Sequence, residues 1–155
     1  MSSNELDAIE PWIAGYLAKL EPGERVRVAR KIGANLRKSN AARIGQNIEP
    51  DGAPMEPRKP KKERKGRLRK RRGKMFPRTR LIRNMRVRPD QDGVTVDFRQ
   101  PVAGTAAVHH FGLVDKVDRR IPNSISVRYP RRRLLGFSPE DRELIMDTVV
   151  EWIGK

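Results

Sequence analysis

The sequence contains no cysteine, few aromatic residues and no long apolar run. Without cysteine the chain can form no disulfide, iron-sulfur cluster or cysteine-ligated zinc site. No stretch approaches the roughly 18 consecutive apolar residues of a transmembrane helix. The N-terminus is acidic, whereas a signal peptide begins with basic residues and continues into an apolar run. We therefore expect neither a secretion signal nor a membrane partner.

The length of the chain limits the number of domains. Its 155 residues are enough for a single compact core, because domains usually span roughly 100 to 200 residues. Hydrophobic residues make up 36% of the chain and charged residues 35%. This balance predicts one core with part of the chain outside it.

The positive charge is concentrated in one segment. Residues 58–83 hold 15 lysines and arginines against the single acid Glu63, a net +14 out of +16 for the whole chain. A nearly neutral body that carries a polycationic segment indicates a polyanionic partner, such as nucleic acid or an acidic protein surface. The alternative is a solvated tether without a partner, although so many like charges repel one another.

We call residues 53–75 the cationic arm. The segment offers almost no apolar side chain to bury, so we predict that it is extended or disordered when the protein is alone. Phe76 is the nearest ring, which favours phosphate neutralisation over stacking on bases. The predicted contacts to nucleic acid or an acidic partner are Arg58, Lys59, Lys61, Lys62, Arg64, Lys65, Arg67, Arg69, Lys70, Arg71, Arg72 and Lys74.

Helical periodicity occurs near both ends of the chain. Apolar residues spaced by three or four predict an amphipathic helix from Leu6 to Leu20, interrupted or kinked at Pro11. A second helix is expected from Pro22 to Ile44 or Gln46. At the C-terminus Ser138 can cap a helix that places Leu144, Ile145, Val149 and Trp152 on the core and ends at Gly154.

In the middle of the chain apolar and polar residues alternate, as they do in β-strands. Alternating apolar residues on both sides of a turn at residues 89–93 predict a hairpin. They are Met85 and Val87 before the turn and Val94, Val96 and Phe98 after it. Residues 101–111 suggest a short helix closed by Gly112, and residues 125–129 a third strand.

These elements together predict an α+β fold: two N-terminal helices, the cationic arm, a small antiparallel sheet with a short helix, and a C-terminal helix. Residues 1–52 and 76–155 would form one domain, interrupted by the arm at 53–75.

Catalytic chemistry has weak support in the sequence. The adjacent His109 and His110 could bind a metal or act as a base, but neighbouring side chains diverge and no third ligand has the right spacing. We expect one histidine to be packed and the other to lie at a surface or interface. Three acids could be imagined around Mg²⁺ in a nuclease: Asp97, Asp115 and Asp118. No catalytic residue, metal site or cofactor is predicted.

Several short strings, in order, resemble the virion morphogenesis proteins that complete the tails of contractile-tailed temperate phages. They are Arg43-Ile44 with Gln46, Pro50-Asp51-Gly52, Pro57-Arg58-Lys59, Lys74-Met75-Phe76, Val108-His109-His110-Phe111-Gly112 and Arg133-Leu134-Leu135-Gly136-Phe137-Ser138. The resemblance implies a structural or interfacial role for Pro50, Asp51, Gly52, His109, His110, Phe111, Gly112, Arg133, Leu134, Leu135 and Gly136.

The resemblance also implies a function. Such proteins are non-enzymatic assembly factors of the virion that complete the tail at its head-proximal end and enable head-tail joining. They form rings, commonly sixfold, in the neck. The expected partners are other copies of the chain, the tail tube or tail terminator, head-side neck proteins and the packaged DNA end. A head-tail connector or stopper component, a free non-specific nucleic-acid-binding protein and a small metal-dependent nuclease are the alternatives.

Overall fold

The computed structural model describes residues 11, 14–15, 18–59, 61–62, 68–69 and 74–154, with backbone alone at 61–62 and 68–69. In chain order its elements are α1 (Pro22–Gln46), β1 (Lys61–Lys62), β2 (Leu68–Arg69), a 3-10 turn (Ile82–Asn84), β3 (Met85–Pro89), β4 (Val94–Phe98), α2 (Val102–Phe111), β5 (Val114–Lys116), β6 (Ser126–Arg128) and α3 (Pro139–Ile153). The predicted helix from Leu6 to Leu20 falls mostly outside the described residues. No helix in the described part is long and apolar enough to cross a membrane.

Helix α1 is the central element and confirms the predicted second helix. Pro22 occupies the first helical position, where its missing amide costs nothing. The helix ends at Asn47, which adopts the left-handed conformation with φ 60° and donates its amide to the Ile44 carbonyl at 3.2 Å. One face of α1 is buried along its length, from Val28 to Ile44.

The hairpin formed by β3 and β4 packs on α1. The strands are antiparallel, with Val87 opposite Val96, as the alternating pattern predicts. Gly33 of α1 allows the close approach, because a Cβ there would lie 2.4 Å from Val87 and 2.5 Å from Val94. The missing side chain therefore sets the distance between the helix and the hairpin.

The third predicted strand pairs elsewhere. β6 pairs antiparallel with β5, a strand that was not predicted from the sequence. The described strands thus form three separate two-stranded ladders, not one sheet. The α+β class holds, with helix α2 (Val102–Phe111) closed by Gly112 at φ 66° as predicted.

Helix α3 begins with the predicted cap. The Ser138 hydroxyl accepts the Asp141 amide at 3.2 Å, and the Asp141 carboxylate accepts the Ser138 amide at 2.9 Å. Thr148 and Val149 are buried where α3 packs along α1. The prediction that Leu144 faces the core is wrong, since 39% of its surface is exposed. The buried face of α3 is instead centred on the residue after Leu144 and comprises Ile145, Thr148 and Val149.

The core is formed between α1, β3, α2 and three irregular segments. Methionines supply much of it, and such flexible side chains fill the irregular space left by scarce aromatic rings. Its members are Ala41, Ile44, Met55, Met75, Phe76, Met85, Ala106 and Leu134. Both ends of the cationic arm therefore start from the core.

Candidate functional site

The cationic arm leaves the body at two buried anchor points. Met55 precedes the arm's charges, and Met75 and Phe76 follow them, each less than a tenth exposed. The Met75 amide donates to Asn47 Oδ1 at 3.3 Å. The arm was predicted to start at Ala53, but backbone hydrogen bonds attach residues 53–55 to residues 47–49 of the body.

The structure describes half of the predicted arm contacts. Arg58, Lys59 and Lys74 lie exposed at the base of the arm. Lys61 and Lys62 pair antiparallel with Leu68 and Arg69. Six predicted contacts lie outside the described residues: Arg64, Lys65, Arg67, Lys70, Arg71 and Arg72. The state of the arm in the isolated protein stays a prediction.

Arg132 fixes the first end of the arm. Its side chain is buried, and its guanidinium donates to the Glu56 carbonyl at 2.6 Å and to the Pro57 carbonyl at 3.2 Å. A third contact joins Nη1 to His109 Nδ1 at 3.0 Å. Arg132 was not predicted, since nothing local distinguishes it from the neighbouring arginines.

His109 is held as a neutral acceptor. Burial, then the charge of Arg132, lowers its pKa to about 4. Its ring also makes edge contacts with Phe76 and Tyr129, each with 5.0 Å between ring centroids. Because arginine can only donate, Nδ1 of His109 must accept, so the ring serves the structure here.

His110 has a similar environment. Its Nδ1 accepts the Leu134 amide at 3.2 Å, and burial followed by the charge of Arg131 lowers its pKa. The sequence predicts one packed histidine and one at a surface or interface. The structure instead has both half-buried and hydrogen-bonded to the segment that follows β6.

Arg133 joins two of the strings that carry the family resemblance. Its guanidinium pairs with Glu49 at 2.8 Å and with Asp51. The Ala53 amide and Arg133 both lower the pKa of Asp51. The turn at residues 50–52 is thereby attached to the segment at 133–136. In this contact Asp51 and Arg133 are 82 residues apart in the sequence.

Glycine is required where these two segments meet. A Cβ on Gly136 would lie 2.5 Å from Pro50, and Pro50 is buried. Gly52 has φ 85°, a conformation that favours glycine. The pattern Pro-Asp-Gly and the glycine after Leu135 therefore form one interlocked joint.

A second polar cluster beneath this joint was not predicted. Arg43 donates to the Gly136 carbonyl at 2.9 Å and to Asn40 Oδ1 at 2.7 Å, and it approaches Asp141 at 3.4 Å. Asn40 Oδ1 also accepts the Gly136 amide at 3.0 Å. Asn40 and Asp141 come from different helices, and their meeting has no signal in the local sequence.

The acids considered for a nuclease do not converge. Asp97 pairs with Arg86 and Arg88, while Asp115 and Asp118 each pair with an arginine four or two residues further along the chain. Within the described residues no group of three histidine, cysteine or acidic side chains could hold a metal ion. The described geometry gives no reason to assign metal chemistry to these residues.

The ribbon of β5, β6 and their connection exposes aliphatic side chains. Ile125 is 71% exposed, and the ribbon's other exposed aliphatic residues are Leu113, Val114, Val117, Ile121 and Val127. Exposed aliphatic side chains at this density suit an interaction site. We call residues 113–128 the aliphatic ribbon.

These features belong to a family of assembly proteins. Residues 4–154 match the model of the phage virion morphogenesis family, and the chain belongs to that family. It is 31% identical to the tail completion protein S of Escherichia phage P2. The alignment spans 152 residues, which are 95% of this chain and 96% of that protein. No solved structure matches the chain. The predicted family resemblance is confirmed.

Proposed function

We propose that this protein completes the phage tail at its head-proximal end and enables head-tail joining, as a ring-forming structural component of the neck. The observation that carries the proposal is the match of almost the whole chain to the virion morphogenesis family, with a relative named as a tail completion protein. The protein would act in the virion and perform no catalytic step.

The aliphatic ribbon supports association of copies. A two-stranded ribbon is marginally stable by itself in water, and several of its aliphatic side chains lie exposed to solvent. Contact with a neighbouring copy would cover them. A repeated contact of this type closes into a ring when the rotation between copies divides a full turn.

The cationic arm supports a polyanionic partner in the neck. Six copies of residues 58–83, each with a net charge of +14, would bring about 84 positive charges around one axis, where the packaged DNA ends. Linked copies engage such a partner together, so weak individual contacts add to a strong one. The arm would neutralise phosphate and read no base sequence.

Electron microscopy of a lysate that lacks this protein tests the proposal. Full heads beside unattached, complete or overlong tails are the expected result. Joined particles that lose their DNA would instead support a head-side stopper role. Normal infectious virions would contradict any part in assembly.

The charge of the arm also suits a second candidate, a free non-specific nucleic-acid-binding protein. Quantifying the protein in purified virions separates the two functions. A fixed copy number in the neck supports the assembly role, whereas absence from virions supports the free binding protein.

A further inference from the structure

An open apolar groove lies between α1, β4, α2 and residues 135–137. Its volume is about 450 Å³, and its floor includes Leu36, Val96 and Leu135. Two phenylalanines at its edge are largely exposed, Phe111 by 63% and Phe137 by 54%. The groove is large enough for several side chains of a partner.

The sequence supplies a matching apolar surface in its N-terminal segment, residues 1–20. The predicted stripe is Leu6, Ile9, Ile13, Tyr16 and Leu20. The stripe residues before Leu20 lie outside the described ones. Pro11, Ala14 and Ala18 are described and exposed, and helical spacing puts them on the face opposite the stripe.

The end of this segment is fixed to the first turn of α1. Arg25 donates from Nε to the Leu20 carbonyl and from Nη2 to the Ala18 carbonyl, both at 3.0 Å. The Ala18 amide donates to the Ala14 carbonyl at 2.9 Å, as in a helix. The segment therefore meets the body at the end of α1 far from Leu36, which is about 21 Å along the helix from Pro22.

The segment of the same chain is too short to fill the groove. As a helix folded back along α1 with a three-residue link, it would place Leu6 level with about residue 34, so that Leu6 alone of the stripe would reach the near edge of the groove. Its larger side chains would lie beside Val28 and Ile32, where the cavity is only about 80 Å³. The rest of the groove, from Leu36 to Phe137, would stay open to an occupant from another chain.

We propose that the N-terminal segment of one copy packs its apolar stripe into the groove of the next copy. This inference rests on the proposed ring and names its interface. The two surfaces differ, so each copy offers a helix to one neighbour and a groove to the other. Such a head-to-tail contact repeats around an axis and closes the ring.

Site-specific crosslinking of the full chain tests this proposal. The natural sequence has no cysteine, so a variant with Tyr16→Cys and Phe137→Cys has thiols only at those two places. Tails purified from phage carrying this variant are treated with a short bismaleimide. The expected products are chains linked in series, up to the full ring. The matched control moves the second cysteine to Val150, which is exposed on α3.

The products separate this inference from the proposed function. A crosslink within single chains would overturn the inference, because the segment would then occupy its own groove. The variant protein present in tails without a crosslink between copies would also overturn it, yet leave the proposed function standing. Absence of the protein from tails that the natural protein enters would show that these positions are needed for assembly, as the inference expects, provided that the variant folds.

A charge placed in the groove gives a second readout. Ala107→Glu adds a carboxylate to the groove wall, whereas Ala42→Glu adds one to the exposed face of α1. We expect the first variant to lose about tenfold or more of the chain-to-chain product and the second to lose none, with both keeping a natural unfolding midpoint. Equal crosslinking by the two variants would contradict the proposal.

Discussion

Two arginine-rich regions of this molecule have opposite environments. The run from Arg131 to Arg133 lies in the body, where Arg132 is buried against carbonyl oxygens and Arg133 is paired with two carboxylates. Within the cationic arm, residues 58–74 hold 12 lysines and arginines and a single acid, Glu63. Arg132 and Arg133 thus have their partners within the body, whereas for the cationic arm we propose an external polyanion.

The difference shows that charge density alone does not define a binding site. Arg132 and Arg133 hold together segments that are far apart in sequence, and removing them should affect folding. Removing charges from the arm should affect binding and leave folding unchanged. The predictions below test this division, from the largest expected effect to the smallest.

Arg132→Ala should destabilise the protein most. It leaves His109 and two backbone carbonyls without their donor and creates a cavity, which together cost roughly 3 to 4 kcal/mol. Urea unfolding measures the change. The control is Arg131→Ala at an exposed neighbour, expected within about 0.5 kcal/mol. Equal effects would show that Arg132 has no special role in the fold.

Gly136→Ala should separate the joint between residues 50–52 and 133–136. The added Cβ would lie 2.5 Å from Pro50, and relieving the overlap should cost roughly 1 to 3 kcal/mol in unfolding free energy. Gly23→Ala is the control, because its Cβ meets open space in a helix and should be neutral or stabilising. An unchanged melting temperature for Gly136→Ala would argue against the joint.

His109 should make stability depend on pH. Its pKa is lowered from 6.5 in the unfolded chain to about 4 in the folded one, so the unfolded state binds more protons between these values. The contribution is complete above pH 6.5 and is lost as the pH falls towards 4. Solvent screening leaves roughly 1 to 2 kcal/mol.

The matched variant for this effect is His109→Gln, whose amide oxygen can still accept from Arg132. Unfolding free energies of both proteins are compared from pH 7 to pH 4. The natural protein should lose more stability over this range. Parallel curves would mean that His109 is not held neutral by the fold.

Ser138→Ala has the smallest expected effect. It removes the hydroxyl that caps α3 and should cost about 1 kcal/mol, measured by thermal unfolding. Ser138→Asp keeps an accepting oxygen at the cap and serves as the control. If the two variants melted alike, the capping bond would contribute little.

Local sequence patterns predicted most of the secondary structure, since capping and periodicity are local properties. The start of α1 at Pro22, the β3 and β4 hairpin, and the cap at Ser138 all follow from such signals. The pairing of β6 with β5 did not follow from such signals. The aliphatic residues of both strands are exposed, whereas alternating apolar residues usually indicate a buried face.

The polar contacts within the body could not be predicted from local sequence patterns. Arg132 lies between two other arginines, and its partners at residues 56–57 and 109 are fixed only when the chain folds. The family resemblance did mark Asp51 and Arg133, although it did not show that they touch. The composition of the sequence showed the positive charge of the arm, while the arm's partner stays a proposal.

The salt dependence of binding to duplex DNA tests the central claim that the arm acts on an external polyanion while the body folds without it. For the full chain we predict a slope of log affinity against log salt of roughly −5 to −9, from about 6 to 10 phosphate contacts. Replacing the arm's 12 lysines and arginines by glutamine should bring the slope near zero and leave the unfolding midpoint unchanged. An unaltered slope in that variant would contradict the account, because the binding charges would then lie in the body.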